Sequence, residues 1–173
     1  MSGYGDKPFG LNNVKLYPLP SGAGVALPVD RVLKFKERVQ SGELKGSGKI
    51  ASVSTISEAV EWELEGGGIS LEAYALMTGR TVVSSGTTPT AQTKLTGHAA
   101  LAFPYFMIKG QTLGDGIDDI HCIIYKAKLT DGLSGDFQDG QYMMTSVKGI
   151  GVDDTTNGIY DFIQHETATA LPA

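Results

Sequence analysis

Histidine and cysteine are the side chains of this sequence with the greatest capacity for nucleophilic, acid–base or metal chemistry. His98, His121 and His165 lie far apart in the chain and could converge only through the fold. His121 and Cys122 are neighbours, and neighbours on a strand point to opposite faces, so they cannot form a thiol–imidazole pair. The same objection applies to the acids at 118–119. The sequence therefore predicts no enzyme active site, no metal site and no cofactor.

Two glycine-containing segments resemble ligand loops but depart from them in sequence. The GSGK segment at 46–49 lacks the earlier glycine of a phosphate loop, where Glu43 stands, and the following hydroxyl, where Ile50 stands. Glycine here predicts a hairpin turn, which often needs a positive φ. The DDTTNG segment at 153–158 lacks the bidentate glutamate of a calcium loop, because Gln164 occupies that position. It predicts a turn between strands.

Composition bounds the class of protein. The chain has 173 residues, 23 of them glycine, one cysteine and a formal net charge of −5. This predicts one turn-rich domain over 1–173, with a core over 12–168 and terminal arms at 1–11 and 169–173. A single cysteine excludes an intramolecular disulfide framework, and the acidic balance disfavours binding through DNA phosphates. Neither a signal peptide nor a membrane anchor is expected.

Alternation of apolar and charged residues predicts a long β-hairpin over 31–65 with its turn at Ser41 to Gly48. The first strand has a basic row and the second an acidic row, and each row lies on one face of its strand. A solvated sheet face explains such rows, and so does a contact between subunits or an acidic channel lining. The acidic candidates are Glu43, Glu61, Glu63 and Glu65, and the basic candidates are Lys34, Lys36 and Arg38. The apolar face of the second strand is expected to carry Ile56, Val60, Trp62 and Leu64.

The segment SLEAYALMTG is the clearest helix, with Ser70 as N-cap and Gly79 as left-handed C-cap. Its expected packing residues are Leu71, Tyr74, Ala75 and Met77. Other strands are predicted at 12–17, 94–109, 118–129, 141–152 and 158–165, with a polar loop at 84–93. The predicted fold is mainly β, a β-sandwich or barrel with one flanking helix and a long hairpin.

Three phrases carry a resemblance to a known family. They are AVEWELEGGGISLEAYALMTGRTV within Ala59 to Val83, DDIHCIIYKAKLTDGLSGDFQDGQYMMTSVKGIGV from Asp118, and GIYDFIQHETA from Gly158. In their order along the chain and in their residue pattern they resemble the strand, glycine turn, helix and terminal strands of tail tube proteins, the major tail proteins of long-tailed bacteriophages. The resemblance extends from Asn12 to about Ala168.

The resemblance implies a structural virion protein whose hexameric rings stack into a hollow tail tube that conducts DNA during ejection. Its implied partners are further copies of itself, the tape measure protein, the tail terminator and distal tail proteins, and genomic DNA that passes without specific binding. Its implied location is the virion, after folding and assembly in the host cytoplasm. The hairpin over 31–65 then becomes the candidate for the inner barrel, and 41–48 the candidate for a ring-to-ring loop. The acidic row would face the lumen or an interface, and the basic row the outer or inter-subunit side.

Two alternatives remain open on the sequence. A tube subunit of a gene-transfer, injection or secretion particle would have the same architecture. A β-sandwich glycan-binding module would need exposed aromatic residues on one sheet face, for which Tyr105, Tyr125 and Tyr142 are available.

Overall fold

A computed structural model of the chain describes residues 9–68, 70–113 and 118–172. It is mainly β, with a large antiparallel sheet, one short helix within the described ranges and a long hairpin, which confirms the predicted class. The elements in chain order are β1 (Phe9–Pro18), β2 (Val25–Ala26), β3 (Asp30–Gly46), β4 (Lys49–Gly67), α1 (Leu71–Thr78), β5 (Val82–Ser85), β6 (Gln92–Leu95), β7 (Phe106–Leu113), β8 (Asp119–Leu129), β9 (Ser134–Gly135), β10 (Met144–Gly151) and β11 (Tyr160–His165).

Within the described ranges the main sheet has nine strands, and their order along one path is β2-β1-β7-β8-β10-β4-β3. β11 pairs with β8 beside the place where β10 pairs with it, and β9 pairs with β10. β5 and β6 form a separate small hairpin. β1 and β3 are remote in strand order, yet they contact each other. The sheet therefore curls until its two ends approach, and the apolar residues of its concave side become the core.

The core lies between the curled sheet and α1. Leu16, Phe106, Ile108 and Ile124 are fully buried, and the Trp62 ring meets the Phe106 ring edge-on at 5.7 Å between centroids. Aromatic pairs favour this arrangement, because the positive ring edge meets the negative ring face. The base of the long hairpin, which carries Trp62, is thus fixed to the rest of the domain.

The helix follows its sequence signals. The Ser70 hydroxyl accepts a hydrogen bond from the Ala73 backbone N–H at 3.2 Å, and Gly79 takes a φ of 70° at the C-cap. Ala75 and Met77 are buried as expected, whereas Leu71 and Tyr74 are half-buried. Ala73 and Thr78 are buried as well, because the helix contacts strands on several sides, namely β1, β2, β5, β6 and β8.

Three local expectations are wrong. The turn expected at 41–48 is strand as far as Gly46, and the hairpin reverses at Ser47 and Gly48, whose φ angles are 52° and 76°. A two-residue turn with both φ positive matches the twist of the flanking strands, so the hairpin needs no longer loop. The strand expected at 94–109 is divided between β6 and β7, and the loop expected at 84–93 holds the ends of β5 and β6.

Residues 169–172 pack against the sheet of their own chain. Leu171 is buried, and the Pro172 carbonyl accepts hydrogen bonds from the Tyr17 hydroxyl at 3.0 Å and from Lys109 Nζ at 2.9 Å. Within the expected N-terminal arm, Phe9 to Leu11 belong to β1, and residues 1–8 lie outside the described part of the chain, as does residue 173. The described residues include no helix with the length and apolarity needed to cross a membrane.

Candidate assembly surface

The hairpin of β3 and β4 extends beyond the sheet that holds its base. β10 pairs with β4 only from Val60 to Gly67, whereas β3 and β4 pair with each other out to Gly46 and Lys49. At about 3.3 Å per residue, the free part is roughly 30 Å long. We call the segments 38–46 and 49–59 the distal ribbon. Among the described strands, each of its two outer edges has no partner.

A β-bulge changes which residues share a face of this ribbon. Arg38 lies opposite Ala59 and Val39 opposite Ser57, so Glu58 is the extra residue in β4. An extra residue reverses the alternation of all that follow it. Ile56 therefore lies opposite Gln40 and not on the face of Val60, Trp62 and Leu64, as the alternation alone predicted.

Large apolar side chains are exposed along the ribbon. Val53 and Ile56 are each more than half exposed, and they lie on opposite faces, because Val53 pairs with Glu43 and Ile56 with Gln40. The other exposed apolar residues of the ribbon are Val39, Leu44 and Ile50. A two-stranded ribbon with apolar residues on both faces and two open edges is marginal by itself in water. Such a surface gains stability when another chain covers it.

The charged rows are brought together within one chain. Lys34 Nζ lies 3.3 Å from Glu63 Oε2 and 2.9 Å from Glu65 Oε1, and Lys148 Nζ of β10 lies 3.1 Å from Glu63 Oε1. Hydrogen bonds from Lys148 and Lys34 lower the pKa of Glu63, against its partial desolvation, and those to Glu65 and Glu63 raise the pKa of Lys34. Glu63, at the centre of the acidic row, therefore has a basic neighbour on each side.

Because paired residues share a face, the two rows cannot face opposite sides of the hairpin, as the separate lumen and outer assignments required. Lys36 lies directly opposite Glu61 in the register. Arg38 Nε lies 3.3 Å from Glu58 Oε2 at the bulge, and Lys45 Nζ lies 3.0 Å from Glu43 Oε2 near the turn. A role of either row in a lumen or an interface stays a prediction.

The other face at the hairpin base closes over β8 and β11. The Phe35 and Phe162 rings lie 4.7 Å apart between centroids, and they line an apolar groove with Leu33 and Cys122. Burial raises the pKa of the Cys122 thiol to about 12. The thiol therefore stays protonated near neutral pH, and a protonated thiol is a poor nucleophile.

The fold brings two of the three histidines together and leaves the third apart. His165 lies directly opposite Asp119 in the pairing of β11 with β8, and His121 is two residues further along the same face of β8. Asp119 Oδ1 is 2.8 Å from His165 Nδ1, and Asp119 Oδ2 is 3.1 Å from His121 Nε2. His98 is exposed elsewhere.

Asp119 is the centre of this cluster, and sequence reasoning missed it. Its Oδ2 also accepts hydrogen bonds from Gln111 Nε2 at 2.6 Å and from the Thr169 backbone N–H at 3.0 Å. Burial acts to raise the pKa of Asp119, but the hydrogen bonds from Thr169 and Gln111 and the nearby His121 lower it overall. The useful signal was the Asp-x-His spacing, which puts both side chains on one face of a strand.

The tyrosines considered for glycan binding do not form one platform. Tyr105 and Tyr125 line one groove, where Lys126 and Lys128 lie over the Tyr105 ring, and the Tyr125 hydroxyl donates to Asp161. Tyr142 lines a different groove. The three therefore do not present the single aromatic face that a glycan would need.

Comparisons with known proteins give one similar solved structure and no matching family or curated protein. No family model matches the sequence, and no curated protein matches it. Among solved structures, the chain is similar to one in the cryo-EM structure of the anti-feeding prophage (AFP) baseplate, 6-fold symmetrised. The match has a TM-score of 0.41 and 10% sequence identity, and it covers 94% of this chain and 97% of that chain.

Proposed function

We propose that this chain is a structural subunit of a phage tail or tail-like particle, and that it assembles as hexameric rings that stack into a hollow tube. The observation that carries the proposal is the distal ribbon, which has two open edges and apolar side chains on both faces. The sequence resemblance to tail tube proteins supplies the ring and the tube. No part of the proposal requires an active site.

The geometry of the ribbon favours a ring over a two-fold dimer. Its open edges belong to different strands, β3 on one side and β4 on the other, so the two edges are distinct surfaces. When β3 of one copy pairs with β4 of the next, each contact leaves the same two edges free, and rotation about an axis closes the ring. With all hairpins pointing the same way, these new pairs are antiparallel, as the pairs inside each hairpin are. Closure covers every edge of the ribbon.

The charged rows have a place in this arrangement. The basic row lies along the open edge of β3, whereas the acidic row lies one strand further in and is flanked by Lys34 and Lys148. We propose that the neighbouring copy meets the basic row at its exposed side, so that charge matching fixes the register between copies. Of the four acidic candidates, Glu43 lies nearest the hairpin turn and so furthest from β10.

A tube that conducts DNA must not retain it. The net charge of −5 gives the chain no overall attraction for phosphates, and the basic row is partly neutralised by its own glutamates. Further copies of the chain, a tape measure protein and the proteins at the two tube ends are the partners that this function requires. The same self-assembly would also build the tube of a gene-transfer, injection or secretion particle.

The test is self-association of the purified chain, measured by sedimentation velocity and negative-stain electron microscopy at rising concentration. A variant with residues 41–55 replaced by Asn-Gly is the matched control, because Gln40 and Ile56 are paired and a two-residue turn can join them. We expect rings or tubes from the wild type and folded monomers from the variant. A wild type that remains monomeric at millimolar concentration, or a variant that forms the same rings, contradicts the proposal.

A further inference from the structure

Asp119, His121 and His165 form a compact set of metal-ligand side chains on one face of the sheet. Asp119 and His165 are cross-strand partners, and His121 follows Asp119 by two residues, so the register of β8 and β11 alone places all three side chains together. One ligand atom from each residue lies within 4.8 Å of the others. We propose that this cluster binds one divalent zinc-class ion, a site independent of the assembly proposed above.

The spacing of the ligand atoms suits such an ion. In a tetrahedral site with Zn–N and Zn–O distances near 2.0–2.1 Å, ligand atoms lie about 3.3 Å apart. His121 Nε2 and Asp119 Oδ2 lie 3.1 Å apart, and the His121 and His165 rings meet at 64° with centroids 4.4 Å apart. Movements of about one ångström bring the three ligands to that geometry. Two histidines and one carboxylate leave a fourth position for water or for the Thr169 carbonyl, which is 3.0 Å from His121 Nε2.

The surroundings of the cluster resemble the outer shell of a metal site. Gln111 Nε2 and the Thr169 backbone N–H both donate to Asp119 Oδ2, which fixes the carboxylate as such partners do around ligating residues.

The site has an entry path and a structural consequence. Asp119 and His121 are buried, but the His165 side chain is 27% exposed, so an ion can reach the cluster from its side. The ion would join β8 to β11 beneath residues 169–171. Its binding would stabilise the folded chain, because the cluster does not exist in the unfolded chain.

The test uses Co²⁺ as a spectroscopic substitute for Zn²⁺ on the full chain, after treatment with EDTA and removal of the chelator. We expect one equivalent to bind with the visible bands of tetrahedral Co²⁺. Zn²⁺ at a hundredfold excess over its Kd should raise Tm by about 5–10 °C. His165→Ala should weaken binding at least about tenfold, and at the same Zn²⁺ concentration the Tm rise should then fall to about half or less. His98→Ala is the matched control, because His98 is exposed, and it should bind as the wild type does.

Circular dichroism without metal checks that His165→Ala is folded. X-ray absorption of the Zn²⁺-loaded wild type requires no variant and should show two imidazole nitrogens and a carboxylate oxygen around zinc. Failure to bind one equivalent, equal binding by His165→Ala, or an ion shell without histidine would overturn the proposal. In the first case the cluster is a hydrogen-bonded clasp only.

Discussion

Lys34 and Glu63 face each other across the long hairpin, with Nζ 3.3 Å from Oε2, and Lys148 holds the other oxygen of the same carboxylate at 3.1 Å. Rows that look like two separate charged surfaces in the sequence are one striped face, with basic side chains on β3 and β10 and acidic ones on β4 between them. A reversal of the whole acidic row would therefore damage the monomer as well as any assembly.

A charge swap separates these two effects. Lys36→Glu and Glu61→Lys each place like charges opposite one another, which costs up to about 1 kcal/mol. The double variant again has opposite charges at this pair within the chain. The row along the open β3 edge, however, then carries both negative and positive side chains. We expect the swap to unfold at the wild-type Tm, measured by circular dichroism, and to lose ring formation, measured by sedimentation. Normal rings from the swap would show that the rows act only within the chain.

The apolar side chains of the distal ribbon should matter for assembly and not for folding. Val53→Asp removes an exposed valine from the ribbon, and Val83→Asp removes an equally exposed valine from β5. Surface changes of this kind alter stability by about 0.5 kcal/mol or less. We expect both variants to fold, and only Val53→Asp to remain monomeric in sedimentation velocity. Equal assembly of the two variants would remove the ribbon from the interface.

The sequence predicts a structural feature correctly where that feature depends on residues close together in the chain, and it fails where the feature depends on distant strands. Ser70 and Gly79 cap the helix through contacts within a few residues, so the sequence predicts the helix correctly. The predicted face of Ile56 is wrong, because a bulge at Glu58 reverses the alternation of side chains. No residue type in the sequence indicates that bulge. Asp119 was missed, because its partners His165 and Thr169 come from pairings more than forty residues away in the chain. Such pairings depend on the strand order and not on any local pattern.

Removal of the Asp119 carboxylate should loosen the C-terminal segment. Asp119→Ala removes the buried acceptor that His121, Gln111 and the Thr169 N–H share. Among the described residues, His121 and Gln111 then keep only the Thr169 carbonyl, and we expect the loss to cost roughly 3 kcal/mol in metal-free buffer. Urea unfolding measures the loss, and limited proteolysis should cut residues 169–172 faster. Asp136→Ala, at an exposed position, is the control. Equal stability of the two variants would show that the cluster does not hold the segment.

The raised pKa of Cys122 predicts a loss of stability in alkali. The folded thiol has a pKa of about 12 against 9.0 for the free group, so its contribution is complete below pH 9 and is lost as pH rises from 9 toward 12. At pH 10 the expected loss is about 1 kcal/mol. Urea unfolding at pH 8 and pH 10 measures it, and Cys122→Val should lose less over the same interval. Equal losses would place the alkaline sensitivity in other groups, such as Tyr125, whose pKa is also raised to about 12, chiefly by burial.

Whether neighbouring copies join through the hairpin can be seen in a cryo-EM reconstruction of the assembled wild type. We expect a six-fold ring in which the open edge of β3 hydrogen-bonds to the open edge of β4 in the next copy, with the distal ribbon in the tube wall. Rings whose contacts leave the distal ribbon in solvent would contradict it.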